Sequence, residues 1–215
     1  CIRDRKYSYH LYYVNGLSTL SIDEKKSIDQ KGIRNGRQKA VAANSKQGAL
    51  VGRFDYNLKS NIEIGASVYA GKLNDTSSDV THNVYDIHFK GQFGAFYTRA
   101  LVTELTLSNT EDLKTDDGID VAEKMMGTYV EVGYDIMHGK SELKIIPFVR
   151  HEIINTQASI ASGVTEKEEY DETYQTLGVV IKPLENLAFK ADYTVSTNAA
   201  ESGSNSWNLG VGWNF

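Results

Sequence analysis

One cysteine, two prolines and no apolar run of membrane-helix length set the first limits on this chain of 215 residues. With Cys1 alone no internal disulfide can form, and redox compartment cannot be read from pairing. A helix crossing a bilayer needs ~20 consecutive apolar residues. None is present and mean hydropathy is -0.39, which excludes a helical membrane protein. A strand-built one stays open, because alternating strands dilute hydrophobicity by half. Positive charge is not in excess either: 23 Lys and Arg stand against 28 Asp and Glu, a net charge of -5, so a nucleic-acid binder is not expected. An initiator Met and a secretory signal are both missing, and the expectation is a chain that begins inside a longer protein. A lipoprotein start at Cys1 is the lesser alternative, since a strand-like stretch begins at Tyr7.

What the chain does contain is alternation. From Trp207 to Phe215 the residues Trp207, Leu209, Val211, Trp213 and Phe215 are apolar, whereas Asn208, Gly210, Gly212 and Asn214 are small or polar. Such a period of two marks a strand with different solvents on its two faces. Ten such segments are predicted: 7–14, 49–56, 62–70, 81–90, 95–107, 127–135, 143–153, 174–181, 187–195 and 207–215. Each is near the ~9–11 residues that span a bilayer at a tilt. Short turns at 57–61, 91–94, 136–141 and 182–186 alternate with long polar loops at 15–48, 71–80, 108–126, 155–173 and 196–206. Tight turns at one end and long loops at the other are the pattern of an outer-membrane barrel. The expected fold is therefore all-β, a single domain over residues 1–215, built as an antiparallel up-and-down transmembrane barrel of which about ten strands are present. The 13 Tyr and 18 Gly suit many strands, and Tyr56, Tyr134, Trp213 and Phe215 fit an aromatic girdle.

Charges fall on one parity. The residues expected to line a water-filled lumen are Arg53, Asp55, Glu63, Asp86, His88, Lys90, Arg99, Glu131, Asp135, Arg150, Glu152, Lys190 and Asp192. Both signs are interleaved, which argues for weak selectivity, since rings of one sign set ion preference. Arg99 and Glu104 lie on opposite parities, so a β-bulge near Leu101 or Val102 is predicted to reset the alternation. Pro147 removes a ladder donor from its strand. The stretch from Leu17 to Gln47 is basic, and Arg34 and Arg37 are its candidates for a loop folded into a constriction; an external solvated loop is the other reading. Asp116, Asp117 and Asp120 lack the glycine and terminal glutamate of an EF-hand, so no metal site is expected there.

Several phrases in order, including Tyr9 to Leu17, Gly32 to Arg37, Val51 to Tyr56, Ile64 to Gly71, Pro147 to Glu152, Lys182 to Asn186, Phe189 to Tyr193 and Asn208 to Phe215, resemble the carboxyl-terminal part of bacterial outer-membrane porins related to the phosphate-selective porin family. The resemblance implies a barrel of about sixteen strands in the outer membrane of a Gram-negative bacterium, ten or so of them supplied here. It further implies a homotrimer and passive diffusion of small hydrophilic solutes or ions. Partners would be outer-membrane lipid and lipopolysaccharide, with Phe215 read by the barrel assembly machinery; no cofactor and no metal is implied. Phosphate selectivity is not carried over, because the inward parity shows no continuous run of Arg and Lys.

The rival class is a complete ten-stranded outer-membrane barrel with a hydrolase or adhesin role. His82, with Asp79 and Asp86 nearby in sequence, is the one rim histidine that suggests it. No G-x-S-x-G, H-E-x-x-H or paired Cys/His metal spacing is present, so no catalytic residue is assigned and an enzyme is not expected.

Overall fold

The computed structural model describes residues 6–19, 28–29, 31–38, 43 and 46–214. Phe215 and the lysines at 25, 26 and 39 lie outside them. Ten strands run in chain order: β1 (Tyr7–Asn15), β2 (Gly48–Lys59), β3 (Ile62–Lys72), β4 (Thr81–Phe93), β5 (Phe96–Leu107), β6 (Lys124–Tyr134), β7 (Lys144–Ser159), β8 (Asp171–Leu184), β9 (Leu187–Asn198) and β10 (Asn205–Trp213). They form one sheet in which every strand pairs antiparallel with its neighbours in sequence, and β1 and β10 are its two edges. All ten predicted segments are strands, most of them longer than the alternation alone suggested.

Long connections lie at one end and tight turns at the other. Asn61 and Gly94, the latter in the left-handed region at φ 60°, sit in two of these turns. Asp135 builds a third: its Oδ1 accepts the amides of Met137 at 3.1 Å and Ile145 at 3.3 Å. At the loop end an apolar cluster of Ile28, Leu73, Val80, Leu105, Leu107, Leu113, Val121 and Met125 fills the concave side. Part of it comes from α1 (Thr110–Asp117), in a stretch that reads as loop from sequence. Glu111 and Asp112 complement the N-terminal partial charge of this helix, Gly118 in the left-handed region ends it, and Leu113 is fully buried beneath it.

Two local expectations come out differently. The β4–β5 register runs unbroken from His82↔Leu107 to Phe93↔Phe96, so there is no bulge at Leu101 or Val102. Glu104 instead takes the outward parity and ion-pairs with Lys124 at 2.8 Å, which removes the need for a reset. A register shift occurs at the loop end of β6–β7, where Lys124↔Ser159 is followed by Met126↔Asn155. Pro147 opposes Val179 of β8 but no residue of β6, so one flank of the proline carries no ladder to interrupt.

Where neighbouring strands leave no room, glycine is required. A Cβ on Gly178 would lie 2.6 Å from the Phe148 ring and 2.7 Å from Asp192 Cβ. Gly178→Ala should therefore lower stability by about 1–3 kcal/mol, the range for overpacking. A melting temperature in detergent equal to that of the parent would contradict this packing.

Candidate functional site

Two faces of opposite character follow from the register. Outward stand Phe54 and Tyr56; Ile64, Ala66 and Val68; Tyr85 and Ile87; Val130, Val132 and Tyr134; Val149 and Ile153; Leu177; Phe189 and Val195; and Trp207, Leu209, Val211 and Trp213, most of them exposed. Leu209 exposes 86% of its surface. Rings pair along this face: Tyr7 is stacked with Phe54, Phe96 stands edge-on to Tyr134 and Tyr193 is tilted against Trp207. Trp207 and Trp213 are six residues apart on one strand, or ~20 Å at ~3.3 Å per residue. His151 and Gln175, opposite each other, are polar exceptions on the outward parity.

Inward stand the charges: Asp55 is 5% and Asp192 6% accessible, whereas Arg53, Lys90, Arg99 and Lys190 are exposed. A cavity of about 530 Å³ on this face touches strands from β2 to β9, with Glu63, Lys90, Arg99, Glu131, Phe148 and Lys190 among its lining residues. Pairing converts sequence parity into rows. Glu63, Lys90, Arg99, Glu131 and Arg150 are successive partners across β3 to β7, one row with three bases and two acids. Across the next row, Asp55, Gly65, His88, Leu101, Tyr129, Glu152 and Tyr174 run from β2 to β8.

Within these rows most cations meet an acid. Arg53 donates to Asp55 at 2.8 Å and lies 3.9 Å from Glu63. His88 places Nε2 2.9 Å from Asp55 and Nδ1 2.8 Å from Asp86, and Asp86 also accepts the Ser67 hydroxyl. Arg150 donates to Glu152 and covers the Tyr129 ring at 4.0 Å; Arg99 lies 3.9 Å from Glu131. Lys190 pairs with Asp192 at 3.0 Å, and Asn208 donates to the same carboxylate at 2.9 Å. Arg53–Asp55, Arg150–Glu152 and Lys190–Asp192 are each two residues apart on one strand, a spacing that puts both side chains on one face. Lys90 and Lys182 have no carboxylate within ion-pair distance among the described residues.

The residues expected to line a lumen thus share one face of the sheet, and all but Asp135 stand on the strands; Asp135 closes a turn. Sequence reasoning missed the rows, which need the register, and Tyr129 and Phe148, which cushion cations on aromatic faces. Arg34 and Arg37 are exposed on a short turn of 3-10 helix, with Arg37 Nε donating to the Arg34 carbonyl at 3.2 Å. Their connection crosses the loop end of the concave face: Ile28 is buried in the apolar cluster, and a Cβ on Gly32 would lie 3.7 Å from Met125 Sδ and 4.0 Å from Thr156. Burial, a hydrogen bond to Glu169 and the charges of Glu169 and Asp29 push the Tyr170 phenol up, so the same segment is felt as far as the β7–β8 connection.

Asp55, Glu63 and His88 offer ligand atoms within 4.8 Å of one another. The Arg53 guanidinium stands among them and already supplies the positive charge. Ser67, Asp86 and His88 do not form a nucleophile and base, because the hydroxyl donates to the carboxylate rather than to the imidazole. The three residues of the rim suggestion are not brought together: Asp79 binds Lys72 at 2.7 Å, Asp86 binds His88, and among the described residues neither nitrogen of His82 has a hydrogen-bond partner.

No family model matches the chain. Over 97% of its length it is 26% identical, across 220 residues, to a protein of Aquifex aeolicus (strain VF5) described as an uncharacterized protein. The match covers 50% of that relative, so the chain spans about half the length of the curated protein it resembles.

Proposed function

We propose that this chain is part of an outer-membrane porin, a water-filled transmembrane barrel through which small hydrophilic solutes and ions diffuse. The observation that carries the reading is the polarity of the sheet: large apolar groups are exposed on one face, while the other face carries the charges, with Asp55 and Asp192 buried in ion pairs. In water such an exterior would be a very large apolar patch. In a bilayer it is the lipid-facing surface, with Trp207, Tyr193, Tyr134 and Trp213 at the levels of an aromatic girdle.

Closure follows from solvent physics. The edges at β1 and β10 carry unpaired backbone groups that hydrocarbon cannot satisfy, so further strands of a longer polypeptide complete the barrel, about sixteen in all as the family resemblance implies. The double length of the Aquifex relative is in keeping with this. Trimerisation, contact with lipopolysaccharide, residence in a bacterial outer membrane and delivery by the assembly machinery through Phe215 belong to the same proposal. No chemical step is required, and the wall charges filter solutes by sign and size. Because bases and acids share each row, the field is of mixed sign and selectivity is weak.

The test is electrical. The full-length natural protein in planar bilayers should give ohmic steps, with a reversal potential in a salt gradient well short of the limit for a perfectly selective pore. Silence in many insertions, with correctly folded protein present, would favour an adhesin or a hydrolase.

A further inference from the structure

His82 is the second residue of β4 and faces inward at the loop end. It is fully buried, its ring lies 5.0 Å from that of Tyr69, whose phenol meets the Leu17 backbone, and among the described residues neither imidazole nitrogen has a hydrogen-bond partner. Buried polar atoms are nearly always paired, so an imidazole with both nitrogens unpartnered calls for an explanation.

The Leu17 backbone that meets the Tyr69 phenol belongs to a stitched cap. Asn74, itself buried, donates its amide to the Leu17 carbonyl at 2.7 Å, and its side chain accepts the Gln47 amide at 2.7 Å and donates to the Gln47 carbonyl at 3.1 Å. Thr19 donates its amide to the Asn74 carbonyl at 3.0 Å, and the Ile28 amide donates to Thr19 at 2.9 Å. The β1–β2 connection is thereby tied to the β3–β4 connection, above the cluster that includes Val80 and Leu107. Val80 lies two residues before His82, and Leu107 is its partner on β5.

Among the described residues no carboxylate pairs with His82. Tyr69 is the titratable group that faces it from β3, and β5 presents Leu105 and Leu107. Charged groups on the surrounding elements are engaged elsewhere: Lys72 with Asp79, Lys46 with Asp75, Lys114 with Asp120 and Lys124 with Glu104. Asp29 accepts the Lys31 amide, Glu123 accepts the Ser159 hydroxyl, and Arg34 and Arg37 are exposed. A neutral imidazole fits this enclosure at the cost of unmade hydrogen bonds. An imidazolium, which needs two acceptors or water, does not.

We propose that His82 is an acid-operated release for this cap. Uncharged, the ring stays sealed beneath Leu17–Thr19 and Leu73–Asn74. Once protonated it can be hydrated only if the two connections part, which breaks the Asn74 stitches and frees the segment bearing Arg34 and Arg37 at the lumen mouth. The capped form dominates at neutral pH and is lost as the pH falls.

Hydrogen exchange tests this whether or not the protein conducts. The full-length natural protein in nanodiscs would be followed by mass spectrometry at about pH 7.5 and about pH 4.5, either side of the ordinary imidazole value of ~6.5, with rates corrected for intrinsic chemistry. Protection of amides in 16–19 and 73–80 should fall about tenfold or more on acidification while 187–195 stays unchanged. His82→Leu and His82→Phe should hold the cap closed at both pH values. His88→Gln should keep the acid response, and Asn74→Ala should open the cap at both. If the parent keeps full protection at the lower pH, or if a folded His82→Leu protein still opens in acid, the release is not His82.

Discussion

Arginine in place of Val211 should leave the protein largely unassembled in lipid, whereas arginine in place of Asn208 should be tolerated. Val211 is exposed on the apolar face of β10, flanked by Leu209 and Trp213, and a cation at the bilayer midplane costs ~2–4 kcal/mol. Asn208 is only three residues away but on the opposite parity, where it donates to Asp192. A guanidinium there would meet the same carboxylate, and in a wet lumen its charge stays hydrated. Protease resistance and heat-modifiable gel mobility of the membrane fraction separate the outcomes. Equal assembly of the two variants would mean that the Leu209 face does not meet lipid.

Removal of the Asp55 carboxylate should be the most damaging change on the inner wall. In Asp55→Ala, Arg53 loses both of its hydrogen bonds to a carboxylate and His88 loses one of two carboxylates. Because Arg53 is about half open to water, a loss of roughly 3 kcal/mol is expected, the lower end for breaking a buried pair. Chemical denaturation of the refolded protein measures it. The variant also makes the wall more positive, so its reversal potential should move toward anions. Asp55→Asn, which keeps hydrogen bonding, should lose less stability but show the same change in selectivity. A stable Asp55→Ala protein with unchanged selectivity would reduce the network to surface decoration.

Much of this organisation is legible in the primary structure because a strand exposes its solvents directly. Ile62, Ile64, Ala66 and Val68 against Glu63, Gly65 and Ser67 admit one facing and no other, and a slip by one residue would put charge on the apolar side. Strand ends were less legible. Tyr174 is where the alternation becomes unmistakable, yet β8 begins at Asp171, since backbone pairing continues past the point where side chains need contrasting solvents. The bulge anticipated near Leu101 does not form because Glu104 finds Lys124, a partner 20 residues downstream that only pairing of β5 with β6 brings near.

Sequence by itself determined the ten strands, their antiparallel order and the side on which each residue stands, for a period of two is a local property of the backbone. Tertiary structure alone decided which side chains meet: the row from Glu63 to Arg150, the contact of His88 with both Asp55 and Asp86, and the burial of His82 against Tyr69. Those contacts join residues on different strands, and in some cases tens of positions apart. Their geometry comes from register and from connections folding back over the sheet, neither of which leaves a periodic trace in the chain.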